Sequence, residues 1–311
     1  MRMILMGTGT SHGIPVIACS CKVCRSHNRK DKRLRCSAYV EQQEKNGGRT
    51  HLVIDTGPEF RIQALTYHVT ELDAVLLTHS HADHLDGLDD LRVFSHTKSE
   101  GASRCGVPPA KYAESPGAGL SVYSNAASLN DVRNRFDYIF KATQIGGGKP
   151  KLSLEDSAQF SENNPLVVGS VRIIPIPMRH GRLETTGWLL CTTTGNGTTH
   201  SIAYLTDCNE IPGSSIELLR RNGGSIDHVV IDGLRETSHS THFSYLEAMA
   251  CAARIGGSHT WLTHICHNMS HADITKYCRA HVKDFPELIK IVKNGGSVLP
   301  AYDGLILNTG K

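Results

Sequence analysis

Thr78-His79-Ser80-His81-Ala82-Asp83-His84 decides the reading of this chain. Four candidate ligands, His79, His81, Asp83 and His84, fall within six residues, directly after the apolar run Val75-Leu76-Leu77. In an extended segment side chains two apart share a face, so His79 and His81 point the same way. Asp83 and His84 then reach a neighbouring position from a loop and the first turn of a helix expected from Leu85. Imidazole with carboxylate suits zinc, iron or manganese. Reading Asp83 as a simple helix cap leaves three histidines in one turn unexplained.

The same arrangement recurs along the chain. Asp55 follows Leu52-Val53-Ile54, Asp207 follows Ala203-Tyr204-Leu205-Thr206, and His264 follows Trp261-Leu262-Thr263. Polar residues at strand ends predict sheets that deliver side chains to one rim. Strands are expected over Met3 to Met6, His51 to Asp55, Ala74 to Thr78, Val171 to Pro175, Ile202 to Asp207, His228 to Asp232, Thr260 to His264 and Gly304 to Leu307. Helices are expected over Glu59 to Tyr67, Leu85 to Phe94, Ser128 to Phe140, Ser215 to Arg221 and Ser244 to Ile255. Strands with helices interspersed imply α/β sheets covered by helices. With no internal repeat and no linker, residues 1–311 read as one domain.

A second cluster is Cys19-x-Cys21-x2-Cys24. Ten cysteines without a secretion signal argue against a disulfide framework. Three thiols in six residues favour zinc over free thiols or a redox pair, and His267, three residues past His264, is the expected fourth ligand. A net charge of +3 is too small to point to nucleic acid. No apolar run reaches the roughly 18 residues of a membrane helix. The apolar stretch at Met1 to Gly7 is too short for a signal peptide, so the expected location is the cytoplasm.

His-x-His-x-Asp-His after an apolar strand resembles the hallmark of the metallo-β-lactamase superfamily. That resemblance implies an αββα sandwich, two mixed sheets flanked by helices, with metals at one edge. Asp55 in Ile54-Asp55-Thr56-Gly57, His180 in Met178-Arg179-His180-Gly181, Asp207 and His264 look like its remaining motifs, in order. The chain is further similar to the PhnP-type phosphodiesterase branch. Gly7-Thr8-Gly9-Thr10-Ser11-His12-Gly13-Ile14-Pro15, the cysteine cluster, Thr263-His264-Ile265-Cys266-His267 and Ala301-Tyr302-Asp303-Gly304 carry that likeness. It implies a structural zinc on Cys19, Cys21, Cys24 and His267. It implies one active-site metal on His79, His81 and His180 and another on Asp83, His84 and His264, bridged by Asp207. His242 resembles a catalytic acid or phosphate-positioning group, and a homodimer is implied as well. Residues 95–120 and the hairpin around Thr192 to His200 are longer than the family pattern, an expected insertion near the rim or a subunit contact.

Two such metals, manganese, zinc or iron, about 3.5–4 Å apart hold a nucleophilic hydroxide and both non-leaving oxygens of a phosphodiester. Counting the ions, Asp83, Asp207 and hydroxide leaves about +1, which complements a monoanionic diester. The expectation is a metal-dependent hydrolase of small or cyclic phosphodiesters, with His242 and Asp83 in the chemistry. Two rival readings share the fold: a tRNA-processing nuclease, which would need a basic arm that the sequence lacks, and a non-hydrolytic member of the PQQ-biosynthesis type. Aspartate rather than cysteine at position 207 argues against a β-lactamase.

Overall fold

The structure, a computed structural model, describes residues 1–95, 119–141 and 148–310. The expected insertion at 95–120 therefore lies almost wholly outside the described residues. Strands β1 (Arg2–Gly7), β2 (Ser37–Gln43), β3 (Arg49–Ile54), β4 (Ala74–Leu76), β5 (Leu120–Ser124), β6 (Leu152–Asp156) and β14 (Leu305–Asn308) form one sheet in the order β14-β1-β2-β3-β4-β5-β6. Strands β7 (Leu166–Val168), β8 (Val171–His180), β9 (Leu183–Thr193), β10 (Thr199–Leu205), β11 (Ser225–Asp232), β12 (His259–Thr263) and β13 (Ser297–Pro300) form the other, β13-β12-β11-β10-β9-β8-β7. Both sheets are mixed. β3 to β6 run parallel in the first, and β10 to β13 run parallel in the second.

The strands alternate between two buried faces. On β1, Met3 and Leu5 join the layer between the sheets, while Ile4 and Met6 face the outer helices. On β8, Ile173 points inward and Ile174, Ile176 and Met178 point outward. With both faces covered, a strand reads as a near-continuous apolar run. The inner layer adds Trp188, Leu190, Tyr204 and Val230. Helices α1 (Phe60–Thr66), α2 (Ala82–Leu85), α3 (Arg92–Ser95), α4 (Ala126–Arg135) and α5 (Asp137–Phe140) lie within the first half of the chain. Helices α6 (Gly213–Asn222), α7 (Tyr245–Ile255), α8 (His271–His281) and α9 (Pro286–Lys293) lie within the second. Two helical layers around two sheets make the expected αββα sandwich.

Two expected helices are broken. Leu85 to Phe94 splits into α2, a 3₁₀ turn at Leu88–Leu91 and α3. At the break, the Gly87 amide donates to the Thr56 carbonyl at 2.8 Å, and a β-carbon on Gly87 would lie 2.2 Å from the Gly57 oxygen. Close docking against another backbone, not continuation of the helix, sets that segment. Ser128 to Phe140 divides at Phe136 into α4 and α5.

Parallel strands align their carboxyl ends, and loops beyond such ends form sites in α/β sheets. β3 and β4 end at Asp55 and at the turn to His79. β10, β11 and β12 end at Asp207, Asp232 and His264. The two sets of ends converge on one rim of the sandwich.

Candidate metal centre

His79 leaves β4 buried, Ser80 follows it inward, and His81 sits exposed at the mouth. The helix expected from Leu85 starts earlier, at Ala82, so Asp83 and His84 ride on α2 itself. That turn is clamped by the segment after β3. The Thr56 amide donates to the His84 carbonyl at 2.8 Å, and a β-carbon on Gly57 would lie 2.1 Å from the Asp83 oxygen. Only glycine permits that approach, which explains Asp55-Thr56-Gly57 in the sequence.

The predicted ligands come together in two groups. Ligand atoms of His79, His81 and His180 lie within 4.8 Å of one another, and so do those of Asp83, His84, Asp207 and His264. One oxygen of Asp207 reaches both groups: Oδ2 is 3.0 Å from His264 Nε2, 3.2 Å from His84 Nε2 and 3.9 Å from His79 Nε2. The Asp83 carboxylate lies 3.3 Å from His84 Nε2 and 3.5 Å from His264 Nε2. These separations match edges of a coordination polyhedron, about 3.4 Å for tetrahedral ligands 2.1 Å from an ion. His79 Nε2 is buried with no hydrogen-bond partner. An orphaned imidazole nitrogen beside a shared carboxylate fits a cation and is otherwise costly.

The electrostatics have the same shape. Burial alone would raise Asp207, but the His264 and His84 imidazoles outweigh it and hold its carboxyl well below the usual range. Asp83 is likewise held down against its burial, chiefly by His84. Burial opposes charge on His84, yet Asp207, Asp83 and Asp55 together raise its proton affinity well above normal. His180, by contrast, falls to about 4 through burial first, and His81 falls through burial with a smaller push from Arg135. The acidic pair thus concentrates attraction for positive charge at one position.

Outer hydrogen bonds fix which ring nitrogens face the cluster, as is usual for metal-binding histidines. His84 Nδ1 meets Asp55 Oδ2 at 2.7 Å, and Asp55 also accepts from the Thr78 amide at 2.8 Å and hydroxyl at 2.9 Å. His180 Nδ1 donates to the Thr241 carbonyl at 2.6 Å. The His242 ring stacks on His264 at 4.5 Å and meets the His180 ring tilted at 56°, also at 4.5 Å, and its Nδ1 lies 2.7 Å from Asp232 Oδ2. A ring nitrogen of His242 lies within 4.8 Å of ligand atoms on Asp207 and His264. His239 stands farther out, its ring 5.3 Å from that of His242 and its Nδ1 accepting from Thr241. The outer partners Thr78 and Thr241 are not singled out by the sequence, because single polar residues in loops carry no spacing signal.

Cys19, Cys21, Cys24 and His267 also meet. His267 Nδ1 is 3.4, 3.5 and 3.5 Å from the three sulfurs. A tetrahedral zinc with sulfur at 2.3 Å and nitrogen at 2.1 Å has edges of about 3.6 Å. Amides of Val16 and Cys24 donate to the Cys24 and Cys21 sulfurs, while burial raises Cys24 to about 11. Cys21 drops to about 6, led by the Cys24 amide bond. Gly9 and Thr10 pair with Ile265, so the N-terminal loop is stitched to the segment carrying both His264 and His267.

A β-lactamase superfamily domain matches residues 50–265. The crystal structure of a new diphosphatase from the PhnP family superposes with a TM-score of 0.72 at 30% identity, covering 99% of this chain and 97% of that one. PqqB from Methylobacterium extorquens superposes with a TM-score of 0.66 at 17% identity, covering 99% and 100%, a likeness of fold. An octanoyltransferase of Porphyromonas gingivalis (strain ATCC BAA-308 / W83) is 33% identical over 269 residues, 86% of this chain. The chain spans only 46% of that relative's length. On its motif order, its two sheets and these matches, the chain belongs to the metallo-β-lactamase superfamily, in the PhnP family branch.

Proposed function

We propose that this protein is a binuclear metal-dependent phosphodiesterase acting on small or cyclic phosphodiesters. The observation that carries the reading is the single Asp207 oxygen shared by two ligand groups, with the His242–Asp232 pair beside it. His79, His81 and His180 would hold one ion, Asp83, His84 and His264 the other, and Asp207 would join them. Such a pair of ions supplies Lewis-acid polarisation of the phosphoryl group and a water acidic enough to attack at neutral pH.

The chain's own residues do the remaining work. Asp232 is fully buried, and burial holds its carboxyl well above the ordinary range. It therefore shares a proton with His242 Nδ1. In either placement of that proton, His242 Nε2 carries a hydrogen. Nε2 gives this hydrogen to the departing alkoxide as the P–O bond breaks, and the shared proton settles on Nδ1. Asp232 stays behind as carboxylate, still accepting from the Cys208 amide at 3.1 Å. Asp83 and Asp207 orient the centre and balance its charge.

The diphosphatase named among its relatives supports a phosphoryl substrate, and the modest net charge supports a small one over structured RNA. Acyl transfer, named for the Porphyromonas relative, finds little support. Cys36 and Cys208, two thiols that feel the Asp207 charge, are fully buried, with burial raising both far from thiolate formation. A panel of cyclic and linear phosphodiesters, assayed with manganese, zinc and iron in turn, tests the reading. Turnover of small diesters is expected. Efficient cleavage of precursor tRNA with no action on small diesters overturns it.

A further inference from the structure

We propose that Arg135 is a substrate-binding residue that holds a second phosphate, next to the one that reacts. The inference rests on the phosphodiesterase reading and narrows its substrate class to compounds with two adjacent phosphoryl groups.

Arg135 closes the last turn of α4, and its Nη1 donates to the Ser80 carbonyl at 2.6 Å. That carbonyl belongs to the peptide joining Ser80 to His81, inside the ligand segment itself. Asp131, one turn earlier on α4, accepts from the Ser80 hydroxyl at 2.5 Å. The two bonds fix the end of the helix against the ligand loop on the His81 side. Asp131 is thereby spent on Ser80 and forms no ion pair with Arg135 among the described residues.

The guanidinium itself is left largely unspent. Arg135 is exposed, and only one of its N–H groups has a protein partner among the described residues. A cation in the last turn of a helix gains some energy from the helix dipole, but that does not require anchoring to a ligand loop. A guanidinium offers five donors in a planar fork that matches phosphate oxygens in pairs. Here one donor holds the fork beside the Ser80–His81 peptide, and both Arg135 and His81 are exposed. An immobilised fork loses little rotamer entropy on binding. A second phosphate bound on the His81 side would meet this fork.

The test compares two chromogenic esters with the same leaving group: the p-nitrophenyl esters of thymidine monophosphate and of thymidine diphosphate. Native protein and the Arg135→Ala and Arg135→Lys variants are measured as metal-loaded full-length chains, with metal content and Tm recorded. Native protein should show the lower KM for the diphosphate ester. Arg135→Ala should raise that KM by about 10–100-fold, the loss of a charge-assisted pair, and the fall in kcat/KM should be at least about tenfold larger on the diphosphate ester than on the monophosphate ester. Arg135→Lys should recover part of the loss, since it keeps the charge but not the fork. Equal losses on both esters, or loss of metal in the variants, overturn the proposal, because Arg135 then only braces the ligand loop. If Arg135→Ala does not fold, Arg135→Lys decides by the same comparison. Native protein that cleaves the monophosphate ester with no preference for the diphosphate overturns this inference alone. Native protein that cleaves neither overturns the phosphodiesterase reading with it.

Discussion

Replacing Asp55 by asparagine should weaken one metal position without unfolding the protein. Asp55 is fully buried and accepts three hydrogen bonds, from the Thr78 amide, the Thr78 hydroxyl and His84 Nδ1. Asparagine keeps the shape but turns one acceptor into a donor. If its nitrogen faced the Thr78 amide, two buried donors would oppose each other, at about 1–3 kcal/mol. If the nitrogen faces His84, the Thr78 hydroxyl can rotate to accept, and the imidazole adapts by moving its proton from Nδ1 to Nε2. The second arrangement is cheaper, and it blocks the nitrogen that faces Asp83 and Asp207. Loss of such an orienting partner costs about 10–100-fold in metal affinity, or about 1.4–2.8 kcal/mol. Chelator competition on Asp55→Asn should show one active-site ion released at a chelator concentration that native protein withstands, with Tm nearly unchanged. A folded Asp55→Asn that holds both ions as tightly as native protein refutes the reasoning.

Other outcomes follow from the same geometry. His242→Ala should lower kcat by about 10²–10⁴ on alkyl diesters, and far less on nitrophenyl esters, which need no proton; metal loss in this variant would make His242 a ligand instead. Cys21→Ala should lose the zinc that survives mild chelation, and stability with it; unchanged zinc content would remove the structural-site assignment. His271 is lowered to about 4 by burial first and then by Arg33 and Lys30. Between pH 6.5 and about 4 the unfolded chain binds more protons than the folded one. Stability should therefore fall as pH drops through that window, and His271→Gln should flatten the fall in Tm measured by calorimetry.

Three of the candidate ligands were legible because each follows a strand buried on both faces, where an apolar run ends abruptly in His or Asp. His79, Asp207 and His264 all fit that description, and the parallel strand ends explain their convergence. The helix at His271–His281 escaped notice because it buries only Ile274 and Cys278. Two apolar residues make no amphipathic stripe, although Ser270 capping the Asp273 amide was a readable start signal. β2 is hard to read for a related reason, its buried Ser-Ala-Tyr-Val giving way to half-buried Glu41 and Gln42 and exposed Gln43. The break at Gly87 could not be read at all, because it depends on the Gly57 backbone, distant in sequence. Arg135 carries no sequence signal for the same reason, its partner Ser80 lying 55 residues away.

Activity followed during metal titration tests the central claim most directly. Protein stripped of its exchangeable ions, with the cysteine-bound zinc retained, is titrated with manganese or zinc while cleavage of a small phosphodiester is recorded. The account predicts a rate that climbs to its plateau only as the second exchangeable equivalent binds, because in the proposed centre Asp207 serves two ions at once. A plateau after one equivalent, or binding of two equivalents with no cleavage of any phosphodiester, would contradict it.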